Sequence, residues 1–439
     1  MSERYVAAVE ISSSKIVVAV GKVREDGQLD VLASEQEKGL EGVKYGVIQN
    51  LEETSMRMRR IVERLERKPV VAPREITGVY VGLSARSLRS ICTEVTVNLP
   101  DDVEIDDDIM DRLRRQALTT AIDSSLEVID AVPRIYRVGK IVTDSPKGMV
   151  GNRISGKFDL IVCRPEVKRN LIKVIQDKLG IEIKGLVVTA LSTAQLILSN
   201  DEKRLGCMLV DMGAETTTVS IYKEGHLSYF ATLPLGGRNI TRDLTNGKDL
   251  KLLEEKAEEI KITTGNAMPR ENVSTLNYNG VRDCDVSNYI VARSEEIVAN
   301  ILEQISYAEF KENDLPGGII CIGGGSKLNG IIDLLAQESG LPVKRGQFPP
   351  YIRVEDTKSS SLEMVEVVSV LYSGAMNNDA ECLTVPSSEE LPITGEANHD
   401  EPVVEERPRV SKPSIFKKWG EKISGMFGGE VEDDSAELE

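Results

Sequence analysis

Apolar and polar positions alternate along this chain in blocks, and two of the blocks share one plan. Residues 7–20, AAVEISSSKIVVAV, and residues 208–222, MLVDMGAETTTVSIY, each run as apolar strand, acidic residue, turn of small polar residues and second apolar strand. β-Branched runs bounded by Gly, Ser and Thr predict hairpins of buried strands. Each hairpin delivers a carboxylate, Glu10 or Asp211, to a tight turn whose N–H groups and hydroxyls point outward. Successive N–H groups in such a turn form an anion-binding concavity, and a strand-end carboxylate can hold hydrated Mg2+ through water. A third block, IICIGGGSKLNGIIDLLAQES at 319–339, predicts a buried strand, a triple-glycine turn and an amphipathic helix from about Lys327. Glycine there either lets a flat ring approach the backbone or merely supplies φ > 0 to a strand-helix turn. Together the three blocks predict a nucleotide gripped between two lobes.

The remaining pattern sets the organisation. A helix at 51–67 opens with the capping pair Asn50 and Glu53, and its arginines read as a solvated face opposite Ile61, Val62 and Leu65. From Ser84 the style changes to short strands, a charged helix from about Asp107 to Ile122 and turn clusters, which predicts an inserted α+β unit. The acidic run from Asp101 to Asp108 lacks the central Gly and terminal Glu of a calcium loop and suits a helix N-terminus instead. Residues 158–198 read strand, helix, strand, helix; 238–310 are rich in helix, and another helix falls at about 362–376. From Thr384 an acidic, proline-bearing stretch without periodicity predicts a disordered linker.

Beyond the linker, SIFKKWGEKISGMF places Ile415, Phe416, Trp419, Ile423, Met426 and Phe427 on one helical face, opposite Lys417, Lys418 and Lys422. A basic amphipathic helix with aromatic anchors suits the surface of an anionic bilayer; a groove on the body or on a partner is the alternative. Burial at ~1 kcal/mol or more per apolar side chain, with ~1 kcal/mol per lysine, predicts reversible attachment. The linker gives a reach of roughly 25–32 Å.

Composition narrows the classes. At 439 residues the chain exceeds one core, and no apolar run is long enough to span a bilayer. The charge of −17 argues against nucleic acid. Six cysteines lie scattered without metal spacing and read as reduced core thiols. With two histidines, His226 and His399, histidine-based metal or triad chemistry has almost nothing to use.

The order hairpin, hairpin, GGGS is that of the actin and sugar-kinase ATPase superfamily, as phosphate-1, phosphate-2 and adenosine motifs. With GVIQNLEET, VYVGLSA, LPLGGRNITRDL, AEEIKITTG, the polar linker and the terminal helix, the chain resembles the FtsA family of bacterial actin-like cell-division proteins nearly end to end. That resemblance implies an α/β, actin-like two-lobe ATPase fold. Lobe I would take 1–83, 158–204 and a C-terminal helix in 359–383, with the inserted subdomain at 84–157. Lobe II would take 205–237, a helix-rich subdomain at 238–313, and 314–358. The linker (384–412), membrane helix (413–427) and acidic tail (428–439) would follow.

The resemblance also implies site residues. Phosphate contacts fall to Ser13, Ser14, Lys15, Gly213, Thr216 and Thr217, with Gly236 and Gly237 lining the phosphate end. Ribose falls to Glu258 and Lys261, and adenine to Gly323, Gly324, Gly325 and Ser326. ATP and Mg2+ are the implied ligands, with Asp211 and Glu10 holding the metal through water. The implied partners are the C-terminal peptide of FtsZ, met at Arg293, further copies of the chain in filaments, anionic inner-membrane lipid and other division proteins. The implied location is the cytoplasmic face of the inner membrane at the division site.

Departures from the superfamily pattern are informative. Ser12 replaces a usual Gly, Ala214 and Glu215 stand where small residues are typical, and Thr189 occupies a position where relatives often carry Glu or Gln. Hydrolysis needs a group to orient the attacking water. The expectation is a nucleotide-binding protein with at most weak ATPase activity, in which Glu215 crowds the γ-phosphate. A PilM-like assembly scaffold and a sugar kinase of the same fold are the alternatives.

Overall fold

The structure is a computed structural model that describes residues 4–386, apart from 25, 40, 248–249, 251, 270–275, 278–280, 355–363 and 378–380. The expected linker, amphipathic helix and acidic tail, with Ile415 through Phe427, lie outside the described residues.

Lobe I is built on a six-stranded sheet in the order Glu182–Val188, Gly78–Leu83, Arg4–Ile11, Lys15–Val23, Leu29–Lys38, Ile352–Val354. Its two central strands are the first sequence hairpin, in register from Arg4 opposite Val23 to Ile11 opposite Ile16. Both are buried on both faces, as a continuous apolar run requires. The helix Leu51–Glu66 covers this sheet with Met58, Ile61, Val62 and Leu65. Asn50 caps it by accepting the Glu53 N–H at 3.1 Å. Its outer arginines are paired, Arg57 with Glu53 and Arg64 with Glu37, each at 3.0 Å. The helix Val365–Met376, nearly all apolar, packs against the same strands.

A second sheet of nine strands carries lobe II and the insertion together. Lobe II supplies His226–Leu233, Thr217–Lys223, Cys207–Met212, Ile319–Ile322 and Val343–Arg345, in that order. The helices Gly237–Asn246, Glu254–Thr263 and Asp283–Tyr307 cover it, with Leu244, Ile260 and Ile301 in their core. Cys207, Leu209, Phe230, Ile320 and Ile322 join the core of lobe I instead, so the lobes share an apolar seam.

The insertion has its own core, in which Leu113 of the helix Asp107–Leu118 meets Ile154, Phe158 and Leu160. Its last strand, Val150–Cys163, runs past residue 157. One bridge, Arg89 opposite Ala231, joins the insertion to the lobe II sheet. Beside it Arg134 forks onto buried Asp159 at 2.9 and 3.0 Å and donates to the Ser228 carbonyl at 2.8 Å.

Two helices begin or end elsewhere than the periodicity predicts. The helix expected from Lys327 starts at Ile331, because Gly324–Lys327 forms a single 3-10 turn and Gly330 sits at φ +75°. The insertion helix stops at Leu118 rather than continuing to Ile122.

Candidate functional site

The lobe II half of the site is organised around the turn at residues 213–216. Gly213 N–H closes the hairpin on the Thr216 carbonyl at 2.8 Å. The carbonyls of Gly213 and Ala214 then accept the N–H groups of Gly237 and Arg238, at 3.0 and 2.7 Å, so the turn caps the following helix. A side chain on Gly236 would meet the Ala214 oxygen at 2.6 Å, which explains glycine there. Thr217 is fully buried and its hydroxyl donates to the Leu235 carbonyl at 2.8 Å, a bond that ties the hairpin to this same corner.

The glycine turn abuts the second hairpin. Ile322 pairs with Asp211 in parallel register, and the chain then turns at Gly323 with φ +80°. A Cβ at Gly323 would lie 2.5 Å from Asp211 Oδ1, and one at Gly325 2.9 Å from the Met212 oxygen. Gly324 faces open space. Ser326 is buried and its hydroxyl closes the turn onto the Gly323 carbonyl at 2.8 Å. On the neighbouring helix Lys261 donates to Glu258 at 2.6 Å, to Thr241 at 3.0 Å and to the Gly237 carbonyl at 3.1 Å. Burial lowers the Lys261 pKa, with Glu258 opposing it.

The lobe I half is the turn after Ile11. Ser12 closes it, its N–H on the Lys15 carbonyl at 2.9 Å, and Ser13 Oγ accepts the Gly46 N–H at 3.0 Å. The backbone N–H groups of Ser13, Ser14, Ala214 and Glu215 meet no acceptor among the described residues. Glu10 at the strand end is buried, and its Oε2 has no hydrogen-bond partner among the described residues. Burial, then the nearby Glu366, pushes its pKa up to about 8, while Lys15 lowers it. Asp211 is raised as well, first by its enclosed position and then by Glu366 and Glu10. Glu10, Asp211 and Glu366 thus converge with Lys15 at the strand ends of the two hairpins.

Glu366 carries no signal in the sequence, and three residues that did stand out there are placed as follows. Glu366 sits in the first turn of an apolar helix and gives no local sign that it faces a cleft. Glu215, expected at the γ-phosphate, is 1% exposed; its carboxylate accepts from Tyr45 N–H at 2.7 Å, Arg242 at 2.7 Å and Arg238 at 3.2 Å. Thr189 is buried at the start of the helix Thr189–Ile197, with its hydroxyl unpartnered among the described residues. Arg293 is placed apart from this cleft residue set, on the helix Asp283–Tyr307, forked onto Asp243 and paired with Glu296.

Comparison with known proteins bears on this arrangement. The family model described as cell division protein FtsA matches residues 208–365, and the SHS2 domain inserted in FtsA matches 85–162. The cell division protein FtsA of Porphyromonas gingivalis is 31% identical over 336 residues, covering 74% of this chain and 68% of that protein. The chain belongs to the FtsA family. The FtsA of Pseudomonas aeruginosa is 26% identical over 397 residues, 88% of this chain and 93% of its own length. Among solved structures, a chain of the PilM-PilN type IV pilus biogenesis complex superposes with a TM-score of 0.61 at 14% identity, covering 85% of this chain and 98% of that one. That likeness concerns the fold alone. The actin-like two-lobe architecture and the role in cell division thus stand with the FtsA family, whose inserted SHS2 unit this chain carries. Among the described residues no helix is long and apolar enough to cross a membrane.

Proposed function

We propose that this chain binds ATP with Mg2+ between its lobes, self-associates in that state, and tethers FtsZ filaments of the division ring to the inner membrane. The observation that carries the nucleotide reading is the meeting of Gly323 with Asp211, which brings the adenosine turn onto the metal-side carboxylate of the second hairpin. Unclaimed N–H groups in both turns supply anion donors, and Gly324 leaves room beside them for a flat ring. Lys261 and Glu258 stand on the flank assigned to ribose.

The residues present fit Mg2+. The orphaned oxygen of Glu10 and the mutual repulsion of Glu10, Asp211 and Glu366 are what a dication would relieve. No group of three such side chains among the described residues forms a direct cage, which suits an ion held through water and phosphate. Bound there, the ion would neutralise phosphate charge. Thr189 offers no carboxylate or amide to orient a water, so ATP serves chiefly as a conformational ligand that favours one spacing of the lobes.

The tether rests on family membership together with the basic amphipathic pattern of residues 413–427. For the FtsZ peptide, Arg293 on the helix-rich subdomain is the proposed contact, and an acidic peptide would have to displace Asp243 or Glu296 from it. Co-sedimentation with liposomes containing anionic lipid tests the tether. The full chain should pellet and a chain ending at Pro386 should stay in solution; equal pelleting refutes it.

A further inference from the structure

The turn of the short hairpin Val43–Lys44/Val47–Ile48, which follows the strand Leu29–Lys38, holds two consecutive residues in the left-handed region, Tyr45 at φ +50° and Gly46 at +74°. Glycine takes that conformation freely, whereas a tyrosine there needs neighbours that hold it. Within lobe I, its carbonyl accepts the Arg86 N–H at 3.1 Å and its ring lies under the Arg86 guanidinium, 5.0 Å from the ring centre. The pairing of the flanking strands holds it as well, and further support crosses from lobe II. Glu215 Oε2 accepts the Tyr45 N–H at 2.7 Å, and Arg242, bound to the other oxygen of Glu215, also lies beside the Tyr45 side chain. The next residue, Gly46, donates to Ser13 Oγ at 3.0 Å, which uses a lone pair of that hydroxyl and leaves its proton free to turn toward the cleft.

One line of hydrogen bonds therefore runs from Arg238 and Arg242 through Glu215 and the backbone at 45–46 to Ser13. It joins the two phosphate turns across the cleft. A buried carboxylate is costly unless every oxygen is engaged, and here both are. Burial would raise the Glu215 pKa, yet the Tyr45 N–H and the two arginines outweigh it and hold it low, so the group is charged at neutral pH.

We propose that Glu215 is a positioning residue: it latches the second phosphate turn to the Tyr45–Gly46 backbone, fixing the spacing of the two turns at the phosphate end of the cleft and slowing nucleotide release. The test is hydrogen exchange of the nucleotide-free full chain. In Glu215→Ala the segment 43–50 should exchange at least about tenfold faster, while the strand Arg4–Ile11 keeps its protection. Glu215→Gln, which keeps an acceptor but not the charge, should fall between Glu215→Ala and the native chain. Native exchange in 43–50 of Glu215→Ala overturns the proposal; if that variant does not fold, Glu215→Gln and Arg242→Ala are read the same way. A second arm rests on the ATP reading: a fluorescent ATP analogue should leave Glu215→Gln several-fold faster than the native chain, and an equal rate overturns the slow-release half. Because the exchange arm uses no nucleotide, a failure of ATP to bind counts against the functional reading and leaves the latch to be judged separately.

Discussion

The two hairpins repeat one another in their strands and differ in how their turns are held. The first turn is closed by Ser12, whose N–H and hydroxyl both donate to the Lys15 carbonyl, and is steadied within lobe I by Gly39 on the Ser14 carbonyl and Gly46 on the Ser13 hydroxyl. The second is buttressed on three sides: by the helix N-terminus that it caps, by Thr217 on Leu235, and by Glu215 reaching the opposite lobe. The glycine turn also leans on the second, at Asp211 and Met212. A repeat in sequence thus gives an asymmetric cleft, with a rigid jaw in lobe II and a jaw in lobe I that Glu215 holds in place.

That asymmetry can be broken from the rigid side most easily. Gly323→Val introduces a β-branched residue at φ +80° and a Cβ 2.5 Å from Asp211, so affinity for Mg2+·ATP should fall at least about 100-fold (~2.7 kcal/mol). A titration with fluorescent nucleotide reads it, with far-ultraviolet circular dichroism unchanged. Gly236→Ala drives a methyl against the Ala214 oxygen and should weaken binding about tenfold by lifting the helix from the second turn. A smaller effect there than from any change in the first turn would erase the comparison.

On the lobe I side the effects are milder. Ser13→Ala removes the acceptor of the Gly46 N–H and one donor to phosphate, at a cost of about 1 kcal/mol, or roughly fivefold in affinity. The pH behaviour sharpens the contrast. Glu10 holds its proton to about pH 8 when folded, against an ordinary value of 4.5, so the folded apo protein binds more protons than the unfolded chain between those limits. Its stability should therefore decline as pH rises through that window, and melting temperatures of Glu10→Gln should decline less steeply. Parallel slopes would show that the Glu10 environment is not the one described.

The strands of both hairpins were legible because β-branched runs with a polar break between them have few other solutions, and the Gly323 turn because three glycines in a row are conspicuous. The insertion was legible from its change of style, and its own core bears this out. What escaped was whatever depends on residues far apart in sequence. Tyr45, Arg238 and Arg242 converge on Glu215 from distant segments, and only the misfit of a glutamate among small turn residues hinted that it needed partners. Glu366 is hidden by the apolar run around it. Thr217 shows the converse: its place in the motif suggested a phosphate contact, whereas its hydroxyl is committed to a backbone carbonyl.

Whether nucleotide is clasped between the two turns is read by calorimetry of the folded full chain. One ATP should bind per chain in the presence of Mg2+, with uptake lost in Gly323→Val. No heat of binding from the folded native chain, or equal binding by both proteins, would contradict it.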